Sequence, residues 1–387
     1  MNNEKKIRIG ITGQAGFAGT HLYNELGLYP ERYGRIHFED HYFTNPDRLC
    51  DFVKQCDSIV HLAAVNRHTD QNELYNTNIE LVNTLINALN KEKVKPHIIF
   101  SSSTQESLDN LYGKSKYEGR KLFEKWAQEN DASFTGMIVP NVFGPFGLPN
   151  YNSFIATFCH KLTHNETPSI ITDNEVNLIY VSSLCKYIIA DIDETRISDH
   201  SVIKEKHITP DFTTKVSEIL TLLNVFKEQY FDRGIIPSLS DINEINLFNT
   251  FRSYIDTDKY FPFLLKQNTD ERGTFVETIK LGTGGQVSFS STKPGITRGE
   301  HYHTGKIERF TVIKGKARIQ LRKIGTEQVY EFFLDGNKPS YIDMPVWFTH
   351  NISNVGEEDL YTQFWINEWY DAANPDTFFE KVKGKGK

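Results

Sequence analysis

The texture of this 387-residue chain changes once, and that change constrains its architecture more than any single residue. Up to Val139, short apolar runs alternate with helical patterns. Ile7–Thr12 precedes a helix over Phe17–Leu26. Ile36–Asp40 and Asp57–Ala64 read as strands, followed by a helix around Leu74–Leu89. Ile98–Ser102 leads into a long helix, Leu111–Gln128, and Thr135–Val139 closes the series. Strands parted by helices at this spacing predict an α/β doubly wound parallel sheet. After Tyr260-Phe261-Pro262 the period drops to two. Val287–Phe289, Phe310–Ile313, Ala317–Leu321, Val329–Leu334, Tyr341–Asp343 and Tyr361–Ile366 are short alternating segments broken by glycine. They predict an all-β sandwich or barrel. Residues 151–255 read as mostly helical, with Val216, Ile219, Leu220, Leu223 and Phe226 as a core-facing stripe. The boundary falls near residue 255, giving domains over 1–255 and 256–387.

Charged residues make up 24% and hydrophobic ones 39%, which suits a globular protein and excludes a disordered one. A net charge of −7 gives no reason to expect nucleic acid as a partner. Cys50, Cys56, Cys159 and Cys185 show no C-x-x-C spacing and read as buried free thiols in a reducing compartment. Met1-Asn-Asn-Glu-Lys-Lys runs straight into a strand without a signal-peptide core, and no run is long enough to span a membrane. A cytoplasmic protein without membrane contact is expected. The terminal Lys-Gly-Lys-Gly-Lys reads as a frayed tail.

Gly13-x-x-Gly16-x-x-Gly19 follows the first strand and opens a helix. Glycine there permits a tight turn and lets a pyrophosphate approach the backbone at the positive helix end. Tyr112 and Lys116 lie one helical turn apart and share a face. A nearby ammonium stabilises tyrosinate, so Lys116 is expected to lower the phenol pKa and make Tyr112 a general acid. Ser101, Ser102 and Ser103 end the fourth strand, where ligands gather in such sheets.

Together with Thr12-Gly-x-x-Gly-Phe-x-Gly19, His61-Leu-Ala-Ala64, Asn78 and Pro140-Asn-Val-Phe-Gly-Pro145, these residues resemble the extended short-chain dehydrogenase/reductases, whose fold is of the Rossmann type. The resemblance implies an NAD(P) site at Gly13, Gly16, Phe17, Gly19, Leu62, Ala63 and Lys116. It implies catalysis by Ser103 (Ser102 as alternative), Tyr112 and Lys116, with Asn141 contacting substrate. The dehydratases of that family carry Asp-Glu after the serine. Thr104-Gln105-Glu106 lacks the aspartate, which leaves a reductase or an epimerase. The usual Tyr-Val-Asp-Asp segment reads Tyr180-Val-Ser-Ser183.

In the second half, His301, His303, Glu308 and the later His350 form a plausible divalent-metal set. Alternation places His301 and His303 on one face of a strand. Gly295-x5-His301-x-His303-x4-Glu308-x6-Gly315 resembles the first cupin motif at every position. The second motif, Pro345-x-Trp347-x-x-His350-x-x-x-Asn354, carries tryptophan where glycine is usual. Asp270-Glu-Arg-Gly-Thr-Phe275 and Arg298-Gly-Glu-His-Tyr302 also look like the 3,5-epimerases of nucleotide-linked 4-keto sugars. That likeness implies Arg272, Gln286 and Arg298 as substrate contacts. It makes His301 a candidate base, although a metal would compete for it.

Both halves, in this order, resemble the CapF-type bifunctional enzymes of capsular polysaccharide synthesis over nearly the whole chain. His61-Leu-Ala-Ala-Val-Asn-Arg67, Pro149-Asn-Tyr-Asn-Ser-Phe-Ile-Ala-Thr-Phe-Cys159, Lys293-Pro-Gly-Ile-Thr297, Pro345–Asn351 and Pro375-Asp-Thr-Phe378 carry the likeness. It implies a homodimer with Zn2+ and NADPH. A UDP-linked 4-keto-2-acetamido-2,6-dideoxyhexose would be epimerised at C3, then reduced at C4, towards UDP-L-FucNAc. Where that family has an arginine after the second strand, this chain has Tyr42 preceded by Glu39 and Asp40, which favour a free ribose hydroxyl and keep NADH open. The alternatives are a reductase with a non-catalytic cupin and a nucleotide-sensing binding protein.

Overall fold

The computed structural model describes residues 6–271 and 273–383, so the frayed-tail expectation, apart from Lys383, lies outside the described residues. Two compact units emerge: residues 1–154 with 174–215, and residues 155–173 with 216–387.

In the first unit β1 (Ile7–Thr12) leads to α1 (Phe17–Gly27), β2 (Tyr33–Ile36), α2 (Pro46–Gln55), β3 (Ser58–His61), α3 (Gln71–Glu92), β4 (His97–Ser103), α4 (Leu111–Asn130), β5 (Phe134–Val139) and β6 (Asn141–Phe143). The chain then makes α5 (Phe154–Thr163), which belongs to the second unit from Ile155 onward. It returns as β7 (Glu175–Tyr180), α6 (Val181–Arg196), β8 (Ile203–His207) and β9 (Phe212–Lys215). Six parallel strands order as β2-β1-β3-β4-β5-β8. Strand alternation sends Ile9, Ile11, Val60, Ile99 and Met137 to one face, against Leu22 and Leu26 of α1 and Leu184, Ile188 and Ile192 of α6. Ile59, Ile98, Phe100 and Phe134 face the opposite way, among Phe52, Leu85, Leu89, Phe123 and Trp126 of α2, α3 and α4. Apolar residues on both faces are why the strands read as continuous hydrophobic runs.

Two departures have simple causes. The second strand is Tyr33–Ile36, not Ile36–Asp40, because its register with Ile7–Gly10 ends at Ile36, and Asp40–Thr44 coils into a 3-10 turn. In residues 151–255 the strands β7, β8 and β9 replace part of the expected helix. The edge strand β8, Ile-Lys-Glu-Lys-His, has almost no apolar signal.

Besides α5 from Ile155, the second unit holds α7 (Val216–Phe226) and α8 (Ile242–Arg252), then α9 (Thr257–Tyr260), β10 (Phe263–Leu264), β11 (Gln267–Asp270), β12 (Gly273–Val276), β13 (Gln286–Thr292), β14 (Thr297–Tyr302), β15 (Glu308–Lys314), β16 (Lys316–Lys323), β17 (Val329–Asp335), β18 (Ser340–Met344), β19 (Phe348–Asn354), β20 (Leu360–Ile366) and β21 (Phe378–Phe379). Two five-stranded antiparallel sheets, β10-β18-β15-β20-β13 and β17-β16-β19-β14-β21, form the cupin-type barrel. The break between units falls at Lys215–Val216, ahead of residue 255, because α7 and α8 pack into this unit. The Phe226, Tyr230 and Phe248 rings meet edge-on, the Tyr230 hydroxyl donates to Asp343 (2.6 Å), and Arg252 donates to the Met344 carbonyl (2.9 Å). All four cysteines are buried free thiols. No helix among the described residues is long and apolar enough to cross a membrane.

Candidate active sites

In the first unit the glycine turn sits where β1 ends and α1 begins, beside the point at which strand order reverses between β1 and β3. A Cβ on Gly19 would lie 2.2 Å from the Gly13 carbonyl oxygen, and one on Gly13 would lie 2.9 Å from the Ala63 backbone. The Gly16 amide donates to the Gly13 carbonyl (3.0 Å), and α1 starts with no side-chain cap and no acid in its first turn. Its positive end is therefore open to an anion. Phe17 opens the helix and packs edge-on to His21 (5.3 Å). The Leu62 amide donates to the Thr12 carbonyl (3.1 Å), and Asn78 holds the following loop: its Oδ1 accepts from the Val65 amide (2.7 Å) and its Nδ2 donates to the Val65 carbonyl (3.1 Å). The result is a cradle with backbone walls, which fits a dinucleotide.

Lys116 is buried, with Nζ donating to the Ser101 carbonyl (3.0 Å) and lying 5.8 Å from the centre of the Tyr112 ring. The expected lowering of the phenol pKa is not what the structure gives. Burial, then the charge of a second phenol, Tyr151, pushes Tyr112 up to about 12, while burial pulls Lys116 down to about 8. Loss of water outweighs the attraction because Lys116 is buried, Tyr112 is partly so, and the ammonium spends its hydrogen bond on the Ser101 carbonyl. Of the serines, Ser102 is buried and donates to Glu106 (2.6 Å), itself paired with Arg120 (2.8 Å). Ser103 is only partly buried and accepts from the Gln105 amide (3.1 Å), giving its proton to no described group. Asn141 lies exposed on β6 and donates to the Asn177 carbonyl (3.4 Å). Tyr151 escaped the sequence reading. Its hydroxyl accepts from the Asn66 amide (3.3 Å), and Arg67 donates to the carbonyl of the same residue (3.2 Å). It lies in the run Pro149–Cys159 that carries the family likeness, but nothing in that run gives it a role.

In the second unit the structure brings His301, His303, Glu308 and His350 together, with their ligand atoms within 4.8 Å of one another. A bulge between Gly299 and His301, with Glu300 in the left-handed region (φ 64°), returns His301 to the register opposite His350. Glu308 Oε2 lies 3.2 Å from His303 Nε2 and 3.3 Å from His350 Nε2. Although burial opposes both shifts, the hydrogen bond from His303 and the charge of both imidazoles hold the Glu308 carboxyl below the usual range, and the carboxylate in turn raises His303. Burial and the two neighbouring rings lower His301 to about 4. His350 Nε2 is buried and, despite that short approach, has no hydrogen-bond partner among the described residues. An orphaned imidazole nitrogen among three further donors fits a divalent metal ion. Trp347, standing where cupins usually have glycine, adopts φ 63° and donates its amide to the His303 carbonyl (2.8 Å), so the turn is kept.

Gln286 lies opposite Ile366, which in turn faces Glu308, so it shares the ligand-bearing face; its Nε2 donates to Ser288 (3.3 Å). Arg298 is exposed and donates to Thr292 (3.1 Å) and to the Ser291 carbonyl (3.1 Å). Arg272 lies outside the described residues. The sequence reading also passed over Phe310, whose ring meets His350 edge-on (5.9 Å).

Residues 9–202 match the NAD dependent epimerase/dehydratase family, and residues 268–378 match the polysaccharide biosynthesis C-terminal domain. A UDP-2-acetamido-2,6-β-L-arabino-hexul-4-ose reductase of Pseudomonas aeruginosa is 32% identical over 376 residues, 96% of this chain and 98% of its own. The crystal structure of the capsular polysaccharide assembling protein CapF of Staphylococcus aureus is 35% identical, covering 97% of this chain and 100% of that one, with a TM-score of 0.60. The spore coat polysaccharide biosynthesis protein SpsL of Bacillus subtilis is 25% identical over 124 residues, 29% of this chain and 81% of that protein.

Proposed function

The chain belongs to the NAD dependent epimerase/dehydratase family, and on that premise we propose that it reduces a UDP-linked 4-keto-2-acetamido-2,6-dideoxyhexose at C4 after its barrel has epimerised the same sugar at C3. The order follows from chemistry. The C4 ketone acidifies the neighbouring C3–H and is consumed by reduction, so epimerisation has to come first. The product would serve surface-polysaccharide synthesis, along the route to UDP-L-FucNAc.

For the reduction, the glycine cradle and the open end of α1 hold the pyrophosphate, and Leu62 and Ala63 wall the cofactor. Bound NADPH or NADH supplies the hydride. Tyr112, with its pKa near 12, is fully protonated at neutral pH and gives its proton to the developing C4 alkoxide. Lys116 orients the cofactor ribose and balances the phenolate left behind, and Ser103 donates to the carbonyl oxygen.

For the epimerisation, His301, His303, Glu308 and His350 hold one divalent ion, zinc by its preference for such donors. When bound, it supplies positive charge beside the negative charge that enolisation develops on the sugar, worth several kcal/mol. A base on the barrel takes the C3 proton, a neighbour of the cluster when the ion holds His301. The observation that carries this half is the buried His350 Nε2, close to Glu308 but hydrogen-bonded to no described group, among two further imidazoles and a carboxylate.

NMR of the keto sugar with full-length enzyme in deuterated water, without cofactor, tests the reading. Deuterium should enter at C3, and added NADPH or NADH should then yield the C4 alcohol. If C3 stays protonated while reduction proceeds, the barrel is a non-catalytic partner.

A further inference from the structure

We propose that the segment Pro375–Phe379 is a clasp that aligns the His/Glu centre, with Asp376 as a positioning residue acting through His303; this rests on the metal reading given above. Both halves of Asp376 are engaged. Its main-chain carbonyl accepts from His303 Nδ1 at 2.6 Å. A carbonyl can only accept, so Nδ1 carries a proton, and Nε2, which faces Glu308, is the nitrogen left for a metal ion. Its carboxylate accepts from the Thr304 amide (2.9 Å), the Thr304 hydroxyl (2.7 Å), the Gly305 amide (3.0 Å) and the Lys306 amide (2.9 Å). Those residues form the turn that joins His303 to Glu308. One side chain therefore shapes the loop between two ligands while its own backbone sets the tautomer of the first.

The neighbours of Asp376 lock it in place. Lys306 Nζ donates to the Pro375 carbonyl (2.6 Å), and Phe378 and Phe379 pair with Tyr302 and His301 as an added strand. Tyr302 stacks between Trp347 and Phe378 (5.6 and 5.4 Å). Asp376 itself sits at φ 39°, a conformation held by these contacts rather than by its own preference. Partners that fix ring orientation and tautomer typically change metal affinity by about 10–100-fold when removed.

The test compares Asp376→Ala, Asp376→Asn and a control, Asp371→Ala, whose carboxylate, among the described residues, accepts locally from the Ala373 amide (2.8 Å). Zinc affinity is read by chelator competition, and the geometry around the ion by the visible spectrum of cobalt-loaded protein. Asp376→Ala should weaken zinc about 10–100-fold and alter the cobalt spectrum. Asp376→Asn, which keeps one acceptor oxygen, should recover part of the affinity and carries the comparison should the alanine variant not fold. Asp371→Ala should match wild type. Wild-type affinity and spectrum in both Asp376 variants, or an equal loss in Asp371→Ala, overturns the clasp alone. A wild-type protein that takes up neither zinc nor cobalt overturns the metal reading, and the clasp with it.

Discussion

The two sites bury ionisable groups by opposite means. In the first unit the site is defined by what is missing: side chains at Gly13 and Gly19, whose places the backbone fills, and water around Lys116. Burial goes uncompensated there, so the phenol rises to about 12 and the ammonium falls to about 8. In the second unit the site is defined by what converges. Glu308 keeps its charge because His303 and His350 lean on it, and His303 Nδ1 has a main-chain acceptor of its own. The first site leaves its buried ammonium without a described counter-charge. The second is organised in advance by its own side chains. Preorganisation of this kind should make the barrel the more fragile of the two towards change in its own interior.

The largest effect should appear there. Arg309 and Asp343 form a fully buried pair (2.7 Å), with Tyr230 donating to the same carboxylate and Arg309 donating to the Gly234 carbonyl (2.8 Å). Asp343→Asn strands the guanidinium charge and should cost about 3–5 kcal/mol. Denaturant unfolding followed by intrinsic fluorescence should show the second unit melting early, with loss of C3 exchange and retention of nicotinamide binding. A change below ~1 kcal/mol would mean the pair is not what holds the Tyr230–Gly234 segment to the barrel. By the same contacts, a fragment starting at residue 256 lacks Tyr230, Gly234 and Arg252 and should not fold.

Next in size is Tyr112→Phe. Removing the proton donor should cost on the order of 10²-fold in reduction rate, about 2.7 kcal/mol or more in the barrier. Exchange at C3 should continue, since no described contact ties that chemistry to the phenol. Reduction at near wild-type rate would remove Tyr112 from its role. Loss of exchange together with reduction would erase the distinction between the two sites.

How much of this was legible differs between the sites for physical reasons. Spacing exposes residues that must share a helix face or a strand face: Tyr112 with Lys116, or His301 with His303. It also exposes glycines whose absent Cβ makes room. It says nothing about hydration, so the direction of the Tyr112 shift was misread. It is equally blind to long-range partners. Asp376 meets His303 across 73 residues, and Tyr230 meets Asp343 across 113. The strands β8 and β9 were invisible because half-exposed edge strands need no apolar alternation. Trp347 shows the reverse case, a residue that argues against a turn its surroundings impose.

A third prediction sharpens the electrostatic contrast. The Lys116 ammonium, lowered to about 8, is charged below that pH and neutral above it. Tyr112 stays protonated to about 12 and so adds no limb in the working range. If the charge at Lys116 assists reduction, kcat/KM, which reports the free enzyme, should fall as pH rises through about 8. Lys116→Arg keeps its charge far above that pH, so the limb should vanish at a lower absolute rate. A wild-type profile flat to pH 10 would show that the ammonium is not required.

The smallest effect concerns cofactor choice, at the exposed rim of the first site. Glu39 follows β2, and the turn that carries it is tied to the glycine loop where the Phe38 amide donates to Gln14 Oε1 (3.2 Å). Its carboxylate lies between His37 Nε2 (2.8 Å) and His41 Nδ1 (3.1 Å), and the hydrogen bond from His37 holds it below the usual carboxylate range. An acid in this region accepts from a ribose 2′-hydroxyl and repels a 2′-phosphate. Two imidazoles and open solvent blunt that repulsion, so NADH and NADPH should both serve. Glu39→Gln should raise the ratio of kcat/KM for NADPH over NADH only about two- to fivefold at low salt, because exposed charges act weakly. Most of that gain should disappear near 1 M salt, where screening acts within about 3 Å. An unchanged ratio at low salt would remove Glu39 from cofactor choice. A gain that survives high salt would point instead to reshaping of the Phe38–Tyr42 turn, and the rim would then be organised by packing, as the barrel is, and not by charge.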